Sequence, residues 1–377
     1  MEKKYKSDDR PLIGISHGDI NGINYEIILK ALSDKRMEEM FNCLLYGSTK
    51  VASYYQNALQ LPRLSFNNIK RADRTNIKKL NILNITNAEI KIEPGKSTTH
   101  AGELSYLALK KAVEDLSHGF IKALVTAPID KHNIQSKDFK YAGHTDYLGD
   151  TFKTHDYLML LVSDALRIGV VTGHIPIHEV ASRISKELIM AKLKVMHHSM
   201  IYDFGIRNPR IAVLGLNPHA SDEGLIGTEE EKIIIPAVKE AQRKKMLVYG
   251  PYPADGFFAS SNYQKFDAIL AMYHDQGMIP FKTLSFEDGV NFTAGLPVVR
   301  TSPAHGTAFD IAGKNQASES SLRQAIYMAA DILKNRMEYN KYSKNPLKTK
   351  AQLSQIKDED ISLLSTNEDD GAEGLSI

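Results

Sequence analysis

Apolar and polar positions along the chain follow two alternating periods. Short aliphatic runs at residues 12–15, 123–126, 168–172, 211–216 and 268–272 read as buried strands bounded by polar or glycine-containing stretches. Between them the spacing becomes helical: Leu109, Ala112, Val113 and Leu116 share one face, as do Ile189, Leu193, Met196 and Met200. Thr228 followed by Glu229, Glu230 and Glu231 predicts a capping-box helix start with acids at its positive end, and Pro236 predicts a kink soon after. Strand–helix alternation of this kind predicts an α/β protein on a mainly parallel sheet. The pattern stops after about Tyr342, where a Lys-rich stretch and the acids Asp358, Glu359 and Asp360 predict a flexible tail over residues 343–377.

Composition narrows the class. A chain of 377 residues is long enough for two domains, each with its own core. A net charge of +2 gives no basic excess of the kind that drives nucleic-acid binding. Cys43 is the single cysteine, which excludes an internal disulfide and a cysteine zinc site and fits a reducing compartment. Residues 1–10 are charged and lack an apolar stretch, and no run approaches the roughly 20 apolar residues of a membrane span. The expectation is a cytoplasmic protein with no membrane association.

The strongest chemical signal is positional. Three predicted strands run into His174, His219 and His274. In open α/β sheets the ligand crevice lies beyond the carboxyl ends of the strands, so three imidazoles delivered there can converge on one cation. Imidazole suits Zn²⁺ better than Mg²⁺, and three histidines leave a position open for substrate. A lone loop histidine is more often structural. His17, His118, His155 and His178, and the adjacent helical pair His197 and His198, are read that way.

Lys282, Asn291 and Arg300 follow His274 among glycines and apolar residues, a setting suited to holding a phosphate and a carboxylate. The plainer reading makes the two cations solvated surface charges. Upstream, His144 and Thr145 sit at a predicted helix entrance and can donate to phosphate, although Thr145 alone reads equally well as an N-cap. Residues 305–313 form a small-residue loop. His305, Gly306 and Thr307 permit close approach to a flat ring or a ribose, and Asp310 can accept from ribose hydroxyls, favouring NAD over NADP. Residues 18–22 (Gly-Asp-Ile-Asn-Gly) do not spell the usual dinucleotide fingerprint.

Taken together these motifs resemble the 4-hydroxythreonine-4-phosphate dehydrogenase family of pyridoxal phosphate biosynthesis. The matching segments include Val125-Thr126-Ala127-Pro128, Gly143-His144-Thr145, Leu216-Asn217-Pro218-His219, Pro253-Ala254-Asp255, Ala271-Met272-Tyr273-His274 and the stretch 289–313, over roughly residues 11–335. The resemblance implies a fold like that of isocitrate and isopropylmalate dehydrogenases, two α/β domains around a central cleft. The first would comprise residues 1–140 and 300–342, the second residues 141–299. It implies metal binding by His174, His219 and His274, with zinc first and magnesium, manganese or cobalt as alternatives. It implies substrate contacts from His144, Thr145, Lys282, Asn291 and Arg300, and NAD at 305–313. It further implies a homodimer with the active site at the subunit boundary and His174 supplied by the neighbouring subunit. The family's first-strand motif is altered, with Ile20, Asn21, Asn24 and Tyr25 replacing two prolines, an alanine and a glycine.

The implied reaction is NAD-dependent oxidation of 4-phosphooxy-L-threonine at C3 followed by decarboxylation to 3-amino-2-oxopropyl phosphate. The same chemistry on phosphorylated threonate or erythronate is the nearest alternative. A metal-dependent phosphoesterase and a non-catalytic sensor are the others. The general base is not identified by the sequence; Asp255 and Lys131 are the candidates.

Overall fold

The structure is a computed structural model that describes residues 10–344, Lys35 and Ile77 excepted. The chain divides into two compact units, Met1–Arg336 and Met337–Ile377. Everything below concerns the first; of the second, the described part is the end of the helix Ser320–Ser343. The expected tail lies outside the described residues from position 345 onward.

Twelve strands form one sheet: β1 (Leu12–Ser16), β2 (Asn42–Gly47), β3 (Phe66–Ile69), β4 (Leu80–Asn84), β5 (Ala123–Thr126), β6 (Leu158–Val162), β7 (Arg167–Thr172), β8 (Arg210–Leu214), β9 (Leu247–Tyr252), β10 (Ala268–Tyr273), β11 (Val290–Ala294) and β12 (Val299–Pro303). Their order is β3-β4-β2-β1-β5-β12-β11-β6-β7-β10-β8-β9. All five strands read from the apolar runs are present. The sheet is mixed rather than uniformly parallel, because β11 runs antiparallel to β12 and β6, and β6 antiparallel to β7. The chain returns after β11 so that β12 lies parallel beside β5.

Both faces of the sheet are covered, as a largely parallel sheet requires. In β2 the alternation is direct: Cys43 and Leu45 join one core, Leu44 and Tyr46 the other. The helix Thr99–Ser117 lays Ala108, Leu109, Ala112, Val113 and Leu116 on the second face, capped by Thr98, whose hydroxyl accepts from Ala101 N at 3.3 Å. The helix Lys186–Tyr202 buries Ile189, Leu193, Met196 and Met200 on the first. Each such aliphatic side chain contributes about 1.5–3 kcal/mol by leaving water. No helix among the described residues is long and apolar enough to cross a membrane.

The helix start expected at Thr228 takes another form. Glu230 Oε1 accepts from the main-chain N–H groups of Leu216 and Asn217, both at 2.7 Å, and Asn217 Nδ2 donates to Glu229 Oε2 at 2.8 Å. With its acids turned back on the loop after β8, the segment opens as a π-helical turn, Glu230–Ile234. It then becomes the α-helix Ile235–Arg243. Pro236 occupies that helix's first turn, where its missing N–H costs nothing, so it begins a helix rather than kinking one.

Strands β7, β10 and β8 are consecutive and parallel, so their carboxyl ends open side by side. The helix His274–Leu284 starts immediately after β10 and is pressed onto the sheet through Gly277. A Cβ there would stand 2.8 Å from Ile168 Cγ2 and 3.2 Å from Ala271 Cβ. Gly277→Val is expected to destabilise the protein by about 1–3 kcal/mol through overpacking. Urea unfolding of the two forms measures this, and unchanged stability would show that the helix is not held at that contact.

Candidate active site

A cavity of about 660 Å³ opens where β5, β12, β11, β6 and β7 end. Its wall contains all five side chains expected to grip substrate: His144, Thr145, Lys282, Asn291 and Arg300. His174, His274, His305 and Gly306 line it as well. Elements distant in sequence therefore converge on one space.

Arg300 dominates its electrostatics. It lies in β12 with 3% of its surface exposed. Its Nη2 and Nε donate to Thr126 Oγ1 at 2.6 and 3.0 Å, and its Nη1 to Thr293 Oγ1 at 3.4 Å. Its hydrogen bonds among the described residues thus end on hydroxyls and none on a carboxylate. Burial pushes its pKa down to about 9, which still leaves it charged at neutral pH. A buried cation without an anion is costly, and one aimed into a cavity is a receptor for an anion. Thr145 Oγ1 meets Thr293 Oγ1 at 3.5 Å, which joins the helix His144–Thr151 to the same web. Thr145 does not act as that helix's cap. Gly143 occupies the cap position, and the N-terminal residues 143–146 face the cavity, where main-chain N–H groups favour anions.

Three buried polar atoms on the wall have no partner among the described residues: His144 Nε2, Asn291 Oδ1 and His305 Nε2. His144 is held well below its ordinary pKa, first by burial and then by the Arg300 guanidinium and the Lys131 ammonium. Burial likewise lowers His174, assisted by Lys131 and His274, and lowers His305, with Lys282 adding to the effect. These three rings are neutral at pH 7. The wall's remaining charges are Lys131, Lys192 and Lys282 against the single acid Asp146. Asp146 accepts from Tyr157 Oη at 2.8 Å, and Lys192 Nζ donates to the Tyr157 carbonyl at 2.7 Å. An excess of cations in a recessed space suits a small polyanion.

The three histidines expected at a metal divide two to one. His174 and His274 meet within one chain, ring centroids 5.6 Å apart, where the resemblance has His174 reach in from a neighbouring subunit. With metal–nitrogen bonds of about 2.1 Å, two imidazoles on one tetrahedral ion place their centroids roughly 5 Å apart. The pair therefore fits a shared divalent ion. His274 Nδ1 lies 2.7 Å from Asp275 Oδ1, an outer contact of the kind that orients a ligand histidine. His219 is exposed, stays off the cavity wall, and sits in a left-handed turn in which residues 219–223 all have φ between 47° and 73°. No group of three His, Cys, Asp or Glu side chains among the described residues is arranged to hold an ion.

Of the small-residue loop, His305 and Gly306 reach the cavity, whereas Thr307 and Asp310 lie outside its lining. Asp310 is exposed. Of the two candidate bases, Lys131 is on the wall and Asp255 is not. Thr126, Thr293, Asp146 and Lys192 are site residues that spacing alone did not single out. The one available cue was Thr126 closing an apolar strand just before Ala127-Pro128.

Similarity to known proteins points the same way. Residues 39–329 match the family model described as pyridoxal phosphate biosynthetic protein PdxA. A 4-hydroxythreonine-4-phosphate dehydrogenase from Bacteroides thetaiotaomicron is 52% identical over 337 residues, 89% of this chain and 92% of that protein. A protein from Oceanobacillus iheyensis named a putative D-threonate 4-phosphate dehydrogenase is 36% identical, over 86% of this chain and 98% of its own. Among solved structures, the 4-hydroxythreonine-4-phosphate dehydrogenase of Klebsiella pneumoniae superposes with a TM-score of 0.75 at 33% identity, covering 86% of this chain and 98% of that one.

If Arg300 is an unneutralised cation kept for a ligand, Arg300→Met should not destabilise the apoprotein. Relief of several kcal/mol of desolvation outweighs two hydroxyls losing a partner at about 1 kcal/mol each. The variant is expected to match or exceed the parent's urea midpoint and to lose the rise in Tm that inorganic phosphate gives the parent. A markedly less stable Arg300→Met protein would make the arginine structural.

Proposed function

The chain belongs to the family of the pyridoxal phosphate biosynthetic protein PdxA, and on that premise we propose that it oxidises the C3 hydroxyl of 4-phosphooxy-L-threonine with NAD. The hydride would pass to NAD and the hydroxyl proton to a base; the resulting β-keto acid would lose CO₂, and protonation of the carbon left as an enolate would give 3-amino-2-oxopropyl phosphate. The observation that carries this reading is the convergence of an unpaired buried Arg300, three unpartnered polar atoms and the His174–His274 pair on one cavity.

In this reading Arg300 and Lys282 hold the anionic ends of the substrate, Asn291 accepts from it, and His144 and Thr145 complete the clamp, fixing the reacting carbon in place. His174 and His274 would hold a divalent ion, zinc before magnesium, manganese or cobalt, and His219, which lies off the cavity wall, is the third ligand of the reading. Such an ion, when bound, acidifies the hydroxyl and polarises the carbonyl. The loop 305–313 receives NAD, with Asp310 free to take ribose hydroxyls. We read the chain as two lobes divided near residues 140 and 300, supported by the strand order, in which β1–β5 and β12 occupy one side and β6–β11 the other. The single cysteine favours a cytoplasmic setting.

Bare apolar side chains support the homodimer. The segments that follow β7, β8 and β10 expose Ile177 by 71%, Leu225 by 83%, Ile279 by 65% and Phe286 by 73%. A second copy seated on these segments would cover them and close the histidine end of the cavity. Ile279→Asp with Phe286→Glu is expected to halve the mass in sedimentation and to lower kcat/KM at least tenfold; an unchanged dimer would contradict this interface, and a fully active monomer would contradict the boundary site.

The D-threonate 4-phosphate reading keeps the same clamp and is favoured by the name of the 36% identical relative. Comparing kcat/KM for the two phosphorylated acids separates them. NAD reduction followed at 340 nm is expected with the phosphorylated hydroxy-amino acid, with phosphate retained in the product. It should vanish on chelation and return with divalent metal, and His274→Ala should lose at least a hundredfold in kcat. Phosphate release without NAD, or full activity in metal-free protein, would overturn the reading.

A further inference from the structure

We infer that Asn21 is a positioning residue for the dinucleotide loop 305–313, an inference that rests on the cofactor reading above. Asn21 is fully buried in the connection between β1 and the helix Asn24–Leu32. Its side-chain carbonyl accepts from Glu93 N at 2.8 Å, and its amide donates to Lys96 O and Thr98 Oγ1, both at 3.1 Å. Its main-chain carbonyl accepts from Gly95 N at 2.8 Å, and its own N–H donates to Asp19 Oδ1 at 2.8 Å. One residue therefore stitches the strap 93–98 to the connection after β1.

Both stitched pieces touch the loop. On one side Ile23 N donates to Thr307 O at 3.0 Å, and a Cβ added to Gly22 would stand 2.7 Å from that same carbonyl oxygen. On the other, a Cβ on Gly95 would stand 3.0 Å from Phe309 O, and one on Gly313 would stand 3.2 Å from Pro94 Cβ. The loop's positions 307, 309 and 313 thus rest on residues 22–23 and 94–95, the two pieces that Asn21 joins. Its far end is tied to the same lobe, Ala317 N donating to Glu26 Oε1 at 2.8 Å and Lys30 Nζ to Ala317 O at 2.7 Å.

The chemistry selects asparagine. The strap offers one donor, Glu93 N, and two acceptors, Lys96 O and Thr98 Oγ1, and a carboxamide meets all three at once. Aspartate has no amide hydrogens for the acceptors, and alanine removes all three hydrogen bonds, leaving nothing to join the strap to the connection through this side chain. Thr98 also caps the helix Thr99–Ser117, so the stitch fixes the strap at the start of a rigid element.

The test is NADH affinity, read by fluorescence titration of the metal-loaded full chain. Asn21→Ala and Gly22→Ala are each expected to raise the Kd for NADH at least tenfold while leaving the Tm gained from inorganic phosphate within a degree of the parent. Gly22→Ala pushes the loop directly and decides the matter if Asn21→Ala does not fold. Parent-like NADH affinity in both variants, with Asp310→Ala weakened, would overturn the positioning role. Equal loss of phosphate and NADH binding would overturn it too, as general damage. Unchanged NADH affinity in Asp310→Ala together with both variants would instead remove the cofactor reading on which the inference stands.

Discussion

A guanidinium sealed from water without a carboxylate sets the terms for this molecule. Arg300 must come from a strand interior to be so deeply placed, and it needs two hydroxyls that hydrate it without neutralising it. Thr126 at the end of β5 and Thr293 in β11 provide them. Those two strands flank β12 in the sheet, so the antiparallel insertion of β11 is what places one hydroxyl on each side of the arginine. The departure from a parallel sheet and the anion receptor are one structural fact.

The neutral state of the surrounding histidines follows from the same constraint. A cationic His144 beside Arg300 would repel it in a poorly solvated space, and the ring stays neutral, able to donate from one nitrogen and accept at the other. The neutral ring of His174 is also the form of histidine that binds a metal. The proposed phosphate recognition and metal binding therefore place the same demand on the cavity: positive charge fixed on Arg300 and the lysines, and none on His144 or His174.

Much of this was legible in the residues, and what was not has identifiable causes. The central strands announce themselves as unbroken aliphatic runs because both faces are buried. Strands β11 and β12 hide because Asn291 and Arg300, which line the cavity, and Thr293, which accepts from Arg300, interrupt the apolar pattern; function erases the signal of structure there. Strand β9 carries Gly250 and Pro251 and lies at the sheet edge, which makes it read as a turn. The grouping of His144, Thr145, Lys282, Asn291 and Arg300 could be anticipated. The left-handed turn at His219 could not, since five successive non-glycine residues with positive φ have no sequence signature. The capping box at Thr228 misled because its glutamates have a stronger use, holding the loop that leads to that turn. In the altered segment after β1, Asn21 and Asn24 make side-chain hydrogen bonds that the alanine and glycine of the family motif could not.

The central claim is that fixed cations in this cavity receive a phosphate dianion. The ³¹P resonance of the phosphorylated hydroxy acid bound to the protein reads this without reference to turnover. Free phosphate monoesters titrate near pH 6. In the complex the account predicts a resonance that stays at its dianion position from pH 7.5 down to 5. A bound resonance that titrates near 6, as in free solution, would contradict it.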